Sequence, residues 1–335
     1  MKLNRFFAAA MSLGLVVATL TSAVAANAAT VGASDATVSG FQSLIAKSLN
    51  TKSLPSDITP KFSEISNPDK VYMAQGTSWA LKCQGENKLF APNPIACYYG
   101  DVKATKTIVL FGDSNAGNWV PAFDAAAKTL GYKLAIYIAA GCDSQLASGS
   151  DRPVCVTWQK NVARSVAKER PVAVFSAKLA MALEGTASNT AWFAGKWKAA
   201  FDKITSNNSS IKRFLIGPTP NSGGKSSLVA CLATQTKRSN YGTALKACSP
   251  KYQVGKTGPL NLWTYIDAAR ISAAKSNATL IDTTSWFCQN STTKVNICPI
   301  VLGNKLVYVD NDHLSTAFSK TLGPALSEAL KQAGL

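Results

Sequence analysis

Only one histidine, His313, occurs in this chain of 335 residues, and that scarcity excludes any site built on two or more imidazoles. No Cys-x-x-Cys spacing occurs either, so the residues for a structural or catalytic zinc site are missing and no metal is expected. Acidic groups are also few. Eighteen Asp and Glu face 35 Lys and Arg, a formal net charge of +17, which favours anionic partners. The basic residues are scattered, with no arginine-rich block and no aromatic ladder, so nucleic acid is not the expected partner. An anionic cell-envelope polymer or lipid surface is.

Long apolar runs are absent beyond the start of the chain, so no later segment is expected to span a bilayer. The exception is the first 28 residues, which combine Lys2 and Arg5, an apolar run from Phe6 to Val24 and a small-residue ending, Ala26-Asn27-Ala28. This is the pattern of a secretory signal peptide. Its cleavage removes two basic residues and no acid, which takes the formal charge from +17 to +15. The mature product is expected in the secreted or extracytoplasmic space of the cell envelope, with no transmembrane segment.

What is present is cysteine. Eight occur, all beyond the signal peptide, in four neighbouring couples: Cys83 with Cys97, Cys142 with Cys155, Cys231 with Cys248, and Cys288 with Cys298. Export and an even count favour disulfides. Local pairing closes short loops, each stabilised by about 3 kcal/mol in the chain-entropy picture.

Residues 29–100, rich in Ser, Ala, Asn and Pro, read as an irregular extension with one amphipathic stretch, Phe41 to Leu49. From Thr107 the character changes. Apolar runs at Thr107 to Phe111, Leu134 to Ile138, Val172 to Phe175, Arg213 to Ile216 and Thr279 to Ile281 predict strands. Between them lie helical patterns: Trp119 to Leu130, Thr157 to Lys168, Ala191 to Ile204 and Leu262 to Ser276, with a last one from Ser315 to Lys331. Alternating strand and helix predicts an α/β three-layer sandwich around a mostly parallel, five-stranded sheet within residues 101–335. Two irregular insertions, Pro218 to Pro259 and Ser285 to Asn304, fall where loops cover the strand ends. Trp192, Trp197, Tyr241, Trp263 and Trp286 near them fit either sugar stacking or core packing; Trp119 lies on the buried stripe of the first helix.

The chemistry concentrates at two distant places. Gly112-Asp113-Ser114 follows the first strand, where ligands gather in parallel sheets. Glycine allows the sharp turn, and Ser114 then stands at a helix amino terminus, although Asp and Ser also serve there as plain caps. The second place is Asp310-Asn311-Asp312-His313. A serine hydroxyl needs an imidazole to take its proton, and a carboxylate to orient that imidazole; Asp310, three residues before His313, is placed to do so. Gly223-Gly224-Lys225-Ser226 is a decoy. A phosphate-binding loop needs an earlier glycine where Thr219 stands, between Pro218 and Pro220, so no cofactor is expected.

These segments resemble the first and last blocks of the SGNH (GDSL-like) hydrolase superfamily. More narrowly, the chain is similar to the extracytoplasmic SGNH domain fused to bacterial integral-membrane acyltransferases that O-acetylate envelope glycans. The likeness extends over Leu54-Pro55 with Thr59-Pro60, Cys97 to Asp101, Val109 to Trp119, Gly141-Cys142, Gly217-Pro218-Thr219-Pro220, Cys231-Leu232-Ala233, and Leu280 through Cys288 and Cys298 to Ser315. It implies an SGNH/flavodoxin-like fold, Ser114 as nucleophile, His313 as base, Asp310 as its orienter and Gly141 as an oxyanion donor. It also implies an esterase or O-acyltransferase acting on O-acyl, first of all O-acetyl, groups of an envelope glycan or glycolipid, with a separate membrane acyltransferase as partner. Two departures stand out. Asn115 replaces the histidine that usually follows Gly-Asp-Ser, and the Gly-x-Asn-Asp block is missing near Ser176-Ala177-Lys178. They motivate the alternative of a catalytically weak module that binds envelope glycan or docks with a membrane acyltransferase.

Overall fold

The computed structural model describes residues 28–65, 96–142, 153–177, 187–220, 227–236, 240–253, 262–291, 295–311 and 313–335. Residues 1–27 of the expected signal peptide, Cys83, Lys178 and the Gly223 to Ser226 run lie outside them.

The chain opens with β1 (Thr30–Val31), α1 (Asp35–Asn50), a 3-10 turn at Phe62–Ile65, β2 (Cys97–Gly100), β3 (Thr107–Gly112), α2 (Ser114–Gly117) and α3 (Val120–Leu130). It continues through β4 (Lys133–Ile138), α4 (Pro153–Glu169), β5 (Ala173–Ser176), α5 (Ala187–Ile204), β6 (Lys212–Ile216), α6 (Leu228–Gln235), α7 (Tyr241–Cys248) and β7 (Lys251–Gln253). The last part comprises α8 (Leu262–Lys275), β8 (Thr279–Ile281), α9 (Thr284–Phe287), β9 (Val295–Ile297), β10 (Val301–Leu302), β11 (Lys305–Leu306), α10 (Thr316–Thr321) and α11 (Gly323–Gln332).

The main sheet has the order β1-β8-β6-β5-β3-β4-β2 among the described residues. All its pairings are parallel except that of β2 with β4. The five expected strands are all present. The sheet is nonetheless seven strands wide, because residues 29–100 supply an edge strand on each side: β1 beside β8, and β2 beside β4.

Alternation along each strand sorts its side chains onto two faces. Ile108 and Leu110 of β3 join α3, α11 and α1 in one core, while Val109 and Phe111 join Trp158, Val162, Trp197 and Phe201 of α4 and α5 in the other. Both faces are covered by helices, which is why every residue of β3 is buried. Each fully buried Phe or Leu contributes about 1.5–3 kcal/mol.

The expected final helix is two helices. Leu322 caps the second, and Pro324 falls in its first turn, where a missing N–H is harmless; inside one continuous helix the same proline would remove a hydrogen bond and clash. The Pro218 to Pro259 insertion is also more regular than expected. It holds α6 and α7, capped by Ser227 and Asn240 and joined by the Cys231–Cys248 disulfide. Among the described residues no helix is long and apolar enough to cross a membrane.

Candidate active site

β3 ends at Gly112, whose φ of 148° suits a residue without a side chain. Three strand ends are tied there: Ala139 N–H donates to Gly112 O at 2.9 Å, and Ser176 Oγ donates to Phe111 O at 2.8 Å. Asp113 then turns the chain, its carboxylate accepting from Asn115 N–H at 2.9 Å and so capping α2. Ser114 is the first residue of that helix, at the carboxyl end of the parallel sheet.

The opposite wall is built from the segment after β11. Tyr308 and Leu314 form an antiparallel bridge, Val309 N–H donates to His313 O at 2.9 Å, and Ser315 N–H donates to Val307 O at 2.8 Å. The turn inside this clasp carries Asp310 and His313. Asp310 accepts twice from the histidine: from its backbone N–H at 2.8 Å and at its ring Nδ1 at 2.6 Å. Nε2 of His313 lies 2.9 Å from Ser114 Oγ. An ionised carboxylate can only accept, so the Nδ1 proton points to Asp310 and Nε2 is left to accept from the serine hydroxyl. The side chains of His313 and Asp310 are 17% and 23% exposed, a partly dehydrated setting.

Two contacts hold the walls together. Ser319, fully buried on α10, donates its hydroxyl to Asn118 O at 2.6 Å, four residues past Ser114. Beneath them Trp119, Trp286, Phe287 and Phe318 meet edge to face with ring centroids 5.5–6.3 Å apart. The helix that follows His313 is thereby locked to the one that follows Ser114.

Gly141, with φ of 71°, lies in the turn after β4, the strand next to β3. That turn is closed by Cys142 N–H donating to Ala139 O at 3.0 Å and by the Cys142–Cys155 disulfide. The Cys231–Cys248 and Cys288–Cys298 couples are also bonded; Cys97 is disulfide-bonded too, and its expected partner Cys83 lies outside the described residues. Near the missing asparagine block, Ser176 is buried and its hydroxyl serves Phe111.

The sequence marked Asn115 as a departure but gave no position for its side chain. It is 9% exposed, and its Oδ1 has no hydrogen-bond partner. Trp119, Trp197, Tyr241 and Trp286 are core residues, whereas Trp192 is 56% exposed with Lys196 Nζ 5.0 Å from its ring centre. The Trp263 side chain lies outside the described residues. No group of three or more metal-ligating side chains gathers among the described residues.

A family profile for the SGNH domain fused to AT3 domains matches residues 82–328. Among solved structures, the chain is similar to the periplasmic domain of a lipopolysaccharide acetyltransferase from Salmonella ser. Paratyphi A. The TM-score is 0.55 at 16% identity, over 81% of this chain and 99% of that one. At that identity the likeness speaks for the fold. A comparison with curated protein sequences gives no match.

Proposed function

The chain belongs to the SGNH domain family, whose domains are fused to AT3 domains, and from that premise we propose that it is an exported serine esterase or O-acyltransferase acting on O-acyl groups of a cell-envelope glycan or glycolipid. O-acetyl is the proposed acyl group, in keeping with the acetyltransferase domain that shares its fold. The observation that carries the reading is the continuous hydrogen-bonded path from Asp310 through His313 to Ser114, with steps of 2.6 and 2.9 Å.

In the proposed reaction His313 Nε2 takes the Ser114 hydroxyl proton as Oγ attacks the ester carbonyl carbon, and Asp310 stabilises the imidazolium that forms. The tetrahedral oxyanion needs N–H donors. Asn115 N–H is occupied by Asp113, so the proposed donors are the backbone N–H groups of Ser114 and Gly141. Collapse expels the alcohol, which takes its proton from Nε2 and leaves an acyl-Ser114. A water or sugar hydroxyl then gives its proton to Nε2, attacks the acyl carbon and restores the serine. Water as acceptor makes the protein an esterase, and a sugar makes it a transferase. In a transferase cycle a separate membrane acyltransferase is the proposed acyl source, by analogy with the family's fusion to AT3 domains.

Hydrolysis of p-nitrophenyl acetate by wild type, Ser114→Ala and His313→Ala tests the enzyme reading. Both variants should lose the activity; equal rates in all three would instead favour a glycan-binding or docking module, the reading that Asn115 and the absent asparagine block support.

A further inference from the structure

The positive charge of this chain is not spread evenly over its helices. α4, α5 and α8 cover one face of the sheet, where Trp158, Phe201 and Ala273 share a core with Val109 and Leu215 of the strands. Together these three helices carry eight Lys and Arg against Glu169, Asp202 and Asp267, a formal +5. All the other helices among the described residues carry five Lys against three acids, a formal +2.

The three acids of the basic layer are already engaged. Glu169 accepts from Tyr98 and Tyr137, Asp202 pairs with Lys198 and Arg213, and Asp267 pairs with Arg270. Lys160, Arg164 and Lys168 follow one another at four-residue spacing on the exposed stripe of α4, with no carboxylate partner among the described residues. Lys203 of α5 approaches the same stripe: burial first, and then the charge of Lys160, hold its ammonium below the ordinary value of 10.5. Like charges so placed repel one another, and an anionic surface laid over them removes that cost.

Apolar side chains share the layer. Val154 on α4, Trp192 on α5 and Ile271 on α8 are 43%, 56% and 50% exposed, while the other helices expose no large apolar side chain among the described residues. Lys196 Nζ lies 5.0 Å from the Trp192 ring centre, so cation and indole sit side by side. α5 runs back from the carboxyl end of β5 to the start of β6. Its Phe201 meets Phe111 near the carboxyl end of β3, with ring centroids 5.9 Å apart, and Trp192 stands about 13 Å nearer the start of the helix. Val154 adjoins Cys155, whose disulfide to Cys142 closes the turn after β4. Both side chains therefore lie toward the end of the layer where the sheet presents Ser114.

We infer that the outer surface of α4, α5 and α8 docks on an anionic phospholipid bilayer, with its cations at the phosphates and Trp192 in the headgroup region. The inference goes beyond the esterase reading and does not depend on it. A soluble polyanion would use the cations alone. Exposed indole and aliphatic side chains beside those cations match instead the boundary between headgroups and acyl chains, where tryptophan settles and lysine stems reach out to the phosphates.

The test is co-sedimentation of the mature protein with vesicles of phosphatidylcholine alone and of equal parts phosphatidylcholine and phosphatidylglycerol. Wild type is compared with Lys160→Gln/Lys203→Gln, with Trp192→Ala, and with Lys47→Gln/Lys320→Gln, which removes two exposed lysines from α1 and α10. Wild type should bind the mixed vesicles, release them as salt is added, and leave pure phosphatidylcholine unbound. The Lys160 and Lys203 double variant should bind about 25-fold more weakly, at about fivefold for each cation, and Trp192→Ala about fivefold more weakly. The Lys47 and Lys320 variant should stay within about twofold of wild type, and all four proteins should keep the same Tm. Failure of wild type to bind mixed vesicles at low salt, or an equal loss in the Lys47 and Lys320 variant, overturns the docking face. So does a Trp192→Ala variant that binds vesicles like wild type while heparin, a soluble polyanion, binds as tightly as the vesicles. p-Nitrophenyl acetate hydrolysis on the same preparations is the separate readout: its absence in wild type strikes the esterase reading, and vesicle binding alone decides the docking face.

Discussion

Nε2 of His313 lies 2.9 Å from Oγ of Ser114, across a sequence separation of 199 residues. No local structure joins them. The contact exists because one residue opens the short helix just past the end of β3, the other precedes α10, and those two places meet at the carboxyl edge of one parallel sheet.

The proposed role of Asp310 is to fix the imidazole tautomer, and Asp310→Asn isolates it. The amide preserves the size of the group but can present an N–H to Nδ1, which turns the proton toward Ser114. kcat for p-nitrophenyl acetate should fall by about 10³–10⁴-fold with little change in KM. A steady-state comparison of the two enzymes checks it.

Ser319 and Asn118 test the coupling of the two walls. Ser319→Ala removes a buried hydroxyl that serves Asn118 O at 2.6 Å, so unfolding should become easier by about 1–2 kcal/mol. Because the bond joins the His313 side to the Ser114 side, kcat per active site, with sites counted by fluorophosphonate titration, should drop, whereas a uniform loss of folded protein would lower the site count and leave kcat per site unchanged. Urea melts and kinetics on the same preparation check both halves.

The first and last helices are tied in a way that depends on pH. Glu328 accepts from Ser34 N–H at 2.8 Å and from the Thr37 hydroxyl at 2.8 Å. The Ser34 backbone bond is the largest effect; burial opposes it, and the Thr37 and Ser34 hydroxyls with the Lys331 charge add to it, so the carboxyl is held below the ordinary value of 4.5. A lowered folded-state pKa stabilises the protein above the unfolded value, and that stability is lost as pH falls through the folded value. The Tm advantage of wild type over Glu328→Gln should therefore be full at neutral pH and shrink as the pH drops below about 4.5. Thermal melts across that range check it.

Peptide mapping without reduction should recover Cys142 linked to Cys155, Cys231 to Cys248 and Cys288 to Cys298, with Cys97 linked to Cys83. Replacing the Cys288 and Cys298 pair by alanine should cost about 2–4 kcal/mol, measured by denaturant titration.

The parts of this architecture that were legible in the sequence are those fixed by local pattern. The strands from Thr107 to Ile281 are apolar runs bounded by turn residues, and their burial on both faces makes them conspicuous. β1 and β2 are not, because Thr30–Val31 is two residues long and Cys97–Gly100 exposes Tyr98, so each is a strand only by virtue of the neighbour it pairs with. The break in the last helix went against the single helix expected from Ser315 to Lys331, although Pro324 carries a local signal for it, since its ring and missing N–H disfavour a helix interior. At the candidate site, Ser114, Asp310 and His313 could be named from residue type and order. The Ser319 to Asn118 bond, the Ser176 to Phe111 bond and the burial of Asn115 could not, because each depends on how two elements pack.

The most direct test is mass spectrometry of the mature protein after treatment with a fluorophosphonate, which bonds to a serine only when a neighbouring base has activated it. The expected spectrum carries one adduct on Ser114 in wild type, none in Ser114→Ala and a strongly reduced one in His313→Ala. An unlabelled Ser114 in folded wild-type protein, or labelling that His313→Ala leaves unchanged, would contradict the serine-nucleophile account.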